Sequence, residues 1–168
     1  MDRTSLLEFA PDAGRVLLRG VCLAALAGGL AAGALDILYA FTLYGLRGVP
    51  PERILQSVAS GLLGRAAYAG GMWTASLGAL LHGAIAIVMA ATYAVASLRF
   101  PVLREQAIAC GAAYGGMLFF VMNYVVVPLS LAVPKGPPPS PAWELGLAAH
   151  IALVGIPIAL AARWALRE

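Results

Sequence analysis

Four polar residues sit inside long apolar runs of this chain: Asp36, His82, Asn123 and His150. Aspartate and histidine can exchange protons or ligate a metal, and asparagine offers both a hydrogen-bond donor and an acceptor. A charge at the centre of a transmembrane helix costs about 2.5–3.5 kcal/mol even on lenient insertion scales. The carboxylate in GALDILYAFTLYGLRG therefore needs partners. Counting inward from the outer ends of the spans set out below, at about 1.5 Å per residue, Asp36 lies about 15 Å deep, Asn123 about 13 Å, His150 about 12 Å and His82 about 18 Å. The four share one layer, with Tyr39, Tyr124 and Thr74 near enough in depth or sequence to join it. The expectation is that His82, His150 or Asn123 meets Asp36 in a polar core.

Such a core allows several kinds of chemistry. As a structural cluster it would fix helix register, since interhelical hydrogen bonds average only about 0.6 kcal/mol. It could also bind a small ligand or handle protons. Histidine titrates near neutrality, and burial pushes carboxylates upward in general. The ligand or proton candidates are Asp36, His82, Asn123, His150, Tyr39 and Tyr124. A third option is a b-type haem held between His82 and His150, the two histidines of the chain, whose depths differ by about 6 Å. Asp36, His82 and His150 together would resemble a facial metal triad. No cofactor is expected; haem, or a metal on His82 and His150, is the alternative. Pro128 and Pro157 cannot donate to the carbonyls of Tyr124 and Leu153, which places non-ideal helix beside this layer.

Enzyme signatures are missing. The sequence has no P-loop, no dinucleotide-binding glycine pattern, no nucleophile elbow and no zinc-protease helix pair. Ser57, Ser60, Ser76 and Ser130 have no evident base, so no catalytic residue is assigned and the reading leans away from an enzyme.

The elements that must position these residues follow from composition. The chain has 168 residues, 61% hydrophobic and 11% charged, with a mean hydropathy of +0.86. Soluble domains carry about 25% charged residues, and a chain this small cannot bury so much apolar surface within itself. Lipid is the implied solvent. Four windows, 20–46, 66–98, 106–134 and 145–162, lack charge apart from Asp36, and each reaches or approaches the roughly 20 residues that a membrane helix needs. Unpaired backbone is forbidden in lipid and period-two alternation is absent, so helices are favoured over a barrel. The expected fold is all-α. It is a four-transmembrane-helix bundle in a single integral membrane domain, with spans at about 17–46, 70–98, 106–132 and 143–166 and an amphipathic periplasmic helix at about 51–67.

Seven basic residues fall on one side of these spans (Arg3, Arg15, Arg19, Arg99, Arg104, Arg163 and Arg167) and four on the other (Arg47, Arg53, Arg65 and Lys135). The positive-inside rule then puts both termini in the cytoplasm. Trp73, Trp143 and Trp164 fall at span ends, as interfacial aromatics do. Arg19 interrupts the first apolar region, so it reads as an uncleaved span and not a signal peptide. The net charge of +3 is too small and too dispersed for nucleic-acid binding.

Between the first two spans, PPERILQSVASGLLGRAA starts with prolines suited to a helix beginning. Ile54, Leu55, Val58, Leu62 and Leu63 recur there at helical spacing, with Arg53, Gln56, Ser57 and Ser60 largely opposite. The helix reads as lying on the membrane surface or capping a cavity. Ser5 to Glu8 forms a capping box, and PKGPPPSPAW is a stiff spacer. Ala25, Gly29 and Gly33, Gly78 through Ala90, and Gly111 with Gly115 make small-residue stripes that let helices approach closely in lipid. Such stripes also mate between copies, so a homo-oligomer is compatible with them. Cys22 and Cys110 fit no metal or redox spacing and read as small buried hydrophobes.

LDILYAFTLYGLRGVPPERILQSVASGLLG, LHG in the second span and MNYVVVPLS closing the third resemble a group of small proteobacterial inner-membrane proteins of the domain-of-unknown-function type. In size and four-span layout the chain also resembles the wider family of that type that includes an inner-membrane protein linked to acid resistance. The resemblance implies four helical spans in a bacterial inner membrane and carries no functional residues across.

Overall fold

The computed structural model describes residues 10–133 and 139–167. The capping box at Ser5–Glu8 and residues 134–138 of the proline-rich loop lie outside the described residues. Helices, and no strands, make up the secondary structure among them. Helix α1 spans Ala10–Gly45, α2 Pro51–Leu63 and α3 Gly71–Arg99. Helix α4 spans Ala107–Leu129 and α5 Ala142–Ala165. α1, α3, α4 and α5 are each long and apolar enough to cross a membrane; the 23 residues of α4 cover about 35 Å. Large apolar side chains point outward along them, among them Leu30, Leu80, Val88 and Ile108. This is a multi-pass helical membrane protein.

α1 starts earlier than hydropathy alone suggests, at Ala10, with Pro11 in its first turn, where a missing N–H is tolerated. α2 starts similarly, after an extended Pro50. It stops at Leu63, short of residue 67, because Gly64 takes a positive φ of 58°. Residues Gly64–Ala69 continue as a tighter 3-10 turn.

The four long helices alternate in direction, and α1 runs between α3 and α5, while α4 packs on α5. Small residues make these seams. A Cβ on Gly29 would stand 2.6 Å from Ile87 Cα, and one on Gly33 would stand 3.2 Å from Ala86 Cβ. Gly155 of α5 meets the backbone of Gly111 and Gly115 on α4, and Gly115 meets the carbonyl of His150. Any side chain there would drive the helices apart. The core is accordingly rich in alanine, with Ala24, Ala32, Ala90, Ala94, Ala159 and Ala162 all buried. Lipid gives helices no hydrophobic reason to associate, so close backbone approach and dispersion must do so.

Gly78 has a different partner from the rest of its stripe. It meets the Leu55 carbonyl of α2, so α2 lies directly on the backbone of α3. The face that α2 buries is mixed: Ile54 and Ala59 are buried, but so are Gln56 and Ser60, while Leu62 and Leu63 are exposed. Polar bonds account for this. Gln56 Nε2 donates to Gly71 O at 3.1 Å, and Ser60 Oγ accepts from Val133 N–H at 3.4 Å. The far side of α2 is tied to the chain after α4, where Leu131 N–H donates to Gly61 O at 3.0 Å and the Tyr68 hydroxyl to Val133 O at 2.8 Å.

Two wide, π-type turns interrupt the long helices, Met122–Val126 in α4 and His150–Gly155 in α5. Each ends two residues before a proline, Pro128 or Pro157. A proline ring collides with the carbonyl four residues back and offers no N–H; widening the preceding turn relieves the clash without breaking the helix. One cysteine expectation needs correction. Cys110 is half-buried, its thiol 3.6 Å from Val102 O, but Cys22 is exposed on the flank of α1.

Candidate functional site

α3 and α4 share no extended seam among the described residues. At one end they are linked by Tyr114, whose hydroxyl donates to Met89 O at 2.8 Å and whose ring lies 5.0 Å from that of Tyr93. Tyr93 is buried and donates to Leu103 O at 2.8 Å, anchoring that closure. Towards the α2 end the helices part, leaving a cavity of about 390 Å³. α1 contributes Asp36 to it, α3 His82, α4 Asn123 and α5 His150; Ser57, Val58 and Gly61 of α2 cover it.

Close packing positions each polar group. The glycine at Gly33 lets α3 approach so that His82 Nε2 reaches Gly33 O at 2.9 Å. His150 opens the wide turn of α5, held between the backbone of Gly115 and the ring of Phe119, 5.4 Å away and edge-on. Its Nδ1 lies 3.1 Å from Gly146 O. Asn123 lies in the wide turn of α4 and donates from Nδ2 to Phe119 O at 2.8 Å. Asp36 Oδ1 stands 3.9 Å from His150 Nδ1, with 23% and 20% of the two side chains open. That separation suits an ionic attraction if the imidazole is protonated, but it is too long for a hydrogen bond.

Other candidates fall elsewhere. The Tyr39 hydroxyl is buried without a hydrogen-bond partner among the described residues and does not line the cavity. Tyr124 turns outward, 54% exposed, and stacks on Phe120. Thr74 is buried at the start of α3, where it caps backbone carbonyls. Neither tyrosine therefore belongs to the cavity. Ser57, Ser130, Met89 and Met122 do line it, and sequence reasoning did not pick them for the site. The only prior signal was for Ser57, through the notion of α2 as a cover.

The donor set does not assemble a metal centre: among the described residues no three His, Cys, Asp or Glu side chains converge as ligands. Gly33 O engages Nε2 of His82 and Gly146 O stands 3.1 Å from Nδ1 of His150, so backbone takes up one nitrogen of each ring. No family model, curated protein or solved structure matches this chain, so its own geometry must carry the functional reading.

Proposed function

We propose that this is a bacterial inner-membrane protein, with both termini in the cytoplasm, that binds a small ligand in the cavity between α3 and α4. The observation that carries the reading is the convergence of Asp36, His82, Asn123 and His150, from four different helices, on one cavity of about 390 Å³. Small-molecule sites are concave, mostly apolar spaces of about 300–1,000 Å³ with a few polar groups that fix orientation. A cluster serving register alone has no need of open volume. α2 acts as the cover of the site on its periplasmic side, and the excess of arginine at the opposite end supports that orientation.

A second reading, proton handling at the same place, draws on the approach of Asp36 to His150. Intramembrane carboxylates and imidazoles mark such pathways. A thermal-unfolding screen of the purified protein in detergent, against a small-molecule library, tests the ligand reading. The expected result is a saturable rise in unfolding temperature for some compounds, lost in Asp36→Asn. If Asp36→Asn changes only thermal stability and no compound distinguishes it from the parent, the cluster is structural.

A further inference from the structure

We infer that the cavity takes a small organic amine, held as its cation against Asp36, an inference that rests on reading the cavity as a ligand site. The support is a hydrogen-bond inventory of six polar lining residues, Asp36, Ser57, His82, Asn123, Ser130 and His150. A carbonyl oxygen can only accept. The proton between His82 and Gly33 O must therefore sit on Nε2, and that between His150 and Gly146 O on Nδ1. In each neutral ring the other nitrogen is left as an acceptor.

The Ser57 and Ser130 hydroxyls donate to Ile54 O at 2.6 Å and Val127 O at 2.8 Å. Asn123 gives one N–H to Phe119 O, keeping its carbonyl oxygen and a single N–H. Asp36 accepts no hydrogen bond among the described residues; the ion-pair approach it makes there is the 3.9 Å one from His150. Nearly everything left over is an acceptor, one carboxylate is present, and no lysine or arginine is among the described lining residues.

A carboxylate in a low-dielectric space needs a counter-charge and donors. An ammonium group brings a positive charge and up to three N–H donors, which matches what the cavity lacks. An anion would find one N–H and a like charge. The remaining walls are apolar, mostly isoleucine, methionine and valine side chains of α3 and α4 with Ala32, Val58 and Val154 from α1, α2 and α5; a bare alkali cation would leave that apolar volume unfilled, whereas a short hydrocarbon body would occupy it.

The test uses the full chain in phosphatidylcholine nanodiscs at pH 8.5, with n-hexylamine, 1-hexanol and hexanoate as probes, sodium chloride as an ionic control and empty nanodiscs to subtract partitioning. Binding is followed by calorimetry and by unfolding temperature. The expected result is saturable hexylamine binding, weakened at least tenfold in Asp36→Asn, with hexanol weaker and hexanoate and sodium inert. Ile85→Trp, which fills the space from α3, is expected to exclude hexylamine while the protein stays folded. Hexanoate or hexanol binding as tightly as hexylamine overturns the amine class and leaves the cavity as a ligand site, as does hexylamine binding equally to Asp36→Asn. Stabilisation by sodium alone overturns the organic body. If no probe binds saturably, the inference and the ligand reading beneath it fall together.

Discussion

The seam between α4 and α5 and the gap between α3 and α4 are built by opposite rules. Along the seam, glycines meet backbone directly, as Gly155 does with Gly111 and Gly115. Across the gap, side chains of ordinary size face open volume and the helices touch near Tyr93 and Tyr114. The difference shows how a small membrane protein can keep a cavity. Three tight seams, α1–α3, α1–α5 and α4–α5, hold the helices in an arc, and the fourth side is free to stay open because a cover, α2, spans it. Rigid seams also place the polar groups: the glycines at positions 33 and 115 decide where His82 and His150 stand.

If that contrast is right, substitutions on the two sides should differ widely. Gly155→Val places a branched side chain against the α4 backbone and is expected to destabilise the protein by about 3 kcal/mol, read from the denaturant midpoint in detergent. Gly78→Val should come next, at about 2 kcal/mol. It lifts α2 off α3, so protease cleavage within residues 51–69 should appear while the four long helices still give their full helical circular dichroism. Tyr114→Phe removes the hydroxyl that ties α4 to Met89 O, an expected loss of about 1 kcal/mol in the same unfolding measurement. Gly83, by contrast, has nothing within 4 Å of where its Cβ would be. Gly83→Ala should stay within about 0.5 kcal/mol of the parent, and a larger loss would show that direct contact at a glycine is not what sets these costs.

Hydropathy made the spans legible because lipid requires a continuous apolar length, and the sequence carries that length directly. Depth was legible for the same reason: rise per residue is constant, so Asp36, His82, Asn123 and His150 could be put in one layer. Facing was harder. Tyr124 shares the depth of Asn123, yet one residue is about 100° of rotation, enough to turn it out of the cavity. Gly78 read as part of a bundle stripe because periodicity states that a face is small, not which neighbour uses it; its neighbour is α2. The stripe on α2 misled for a related reason. Gln56 and Ser60 are buried there because backbone acceptors and donors on adjoining segments meet them, and a hydrophobicity pattern has no access to such partners. The wide turns of α4 and α5 were foreshadowed by Pro128 and Pro157, but a missing N–H does not say whether a helix will kink, break or widen.

Because the chain has two histidines, nitrogen-15 NMR of histidine-labelled protein at high pH reports on the site without ambiguity of number. With Gly33 O and Gly146 O as the acceptors, one ring should carry its proton on Nε2 and the other on Nδ1. Asp36→Asn should then move the signals of the Nδ1-protonated ring, His150, more than those of His82. Two rings in the same tautomer, or no response of either to Asp36→Asn, would contradict the placement of these side chains around a shared cavity.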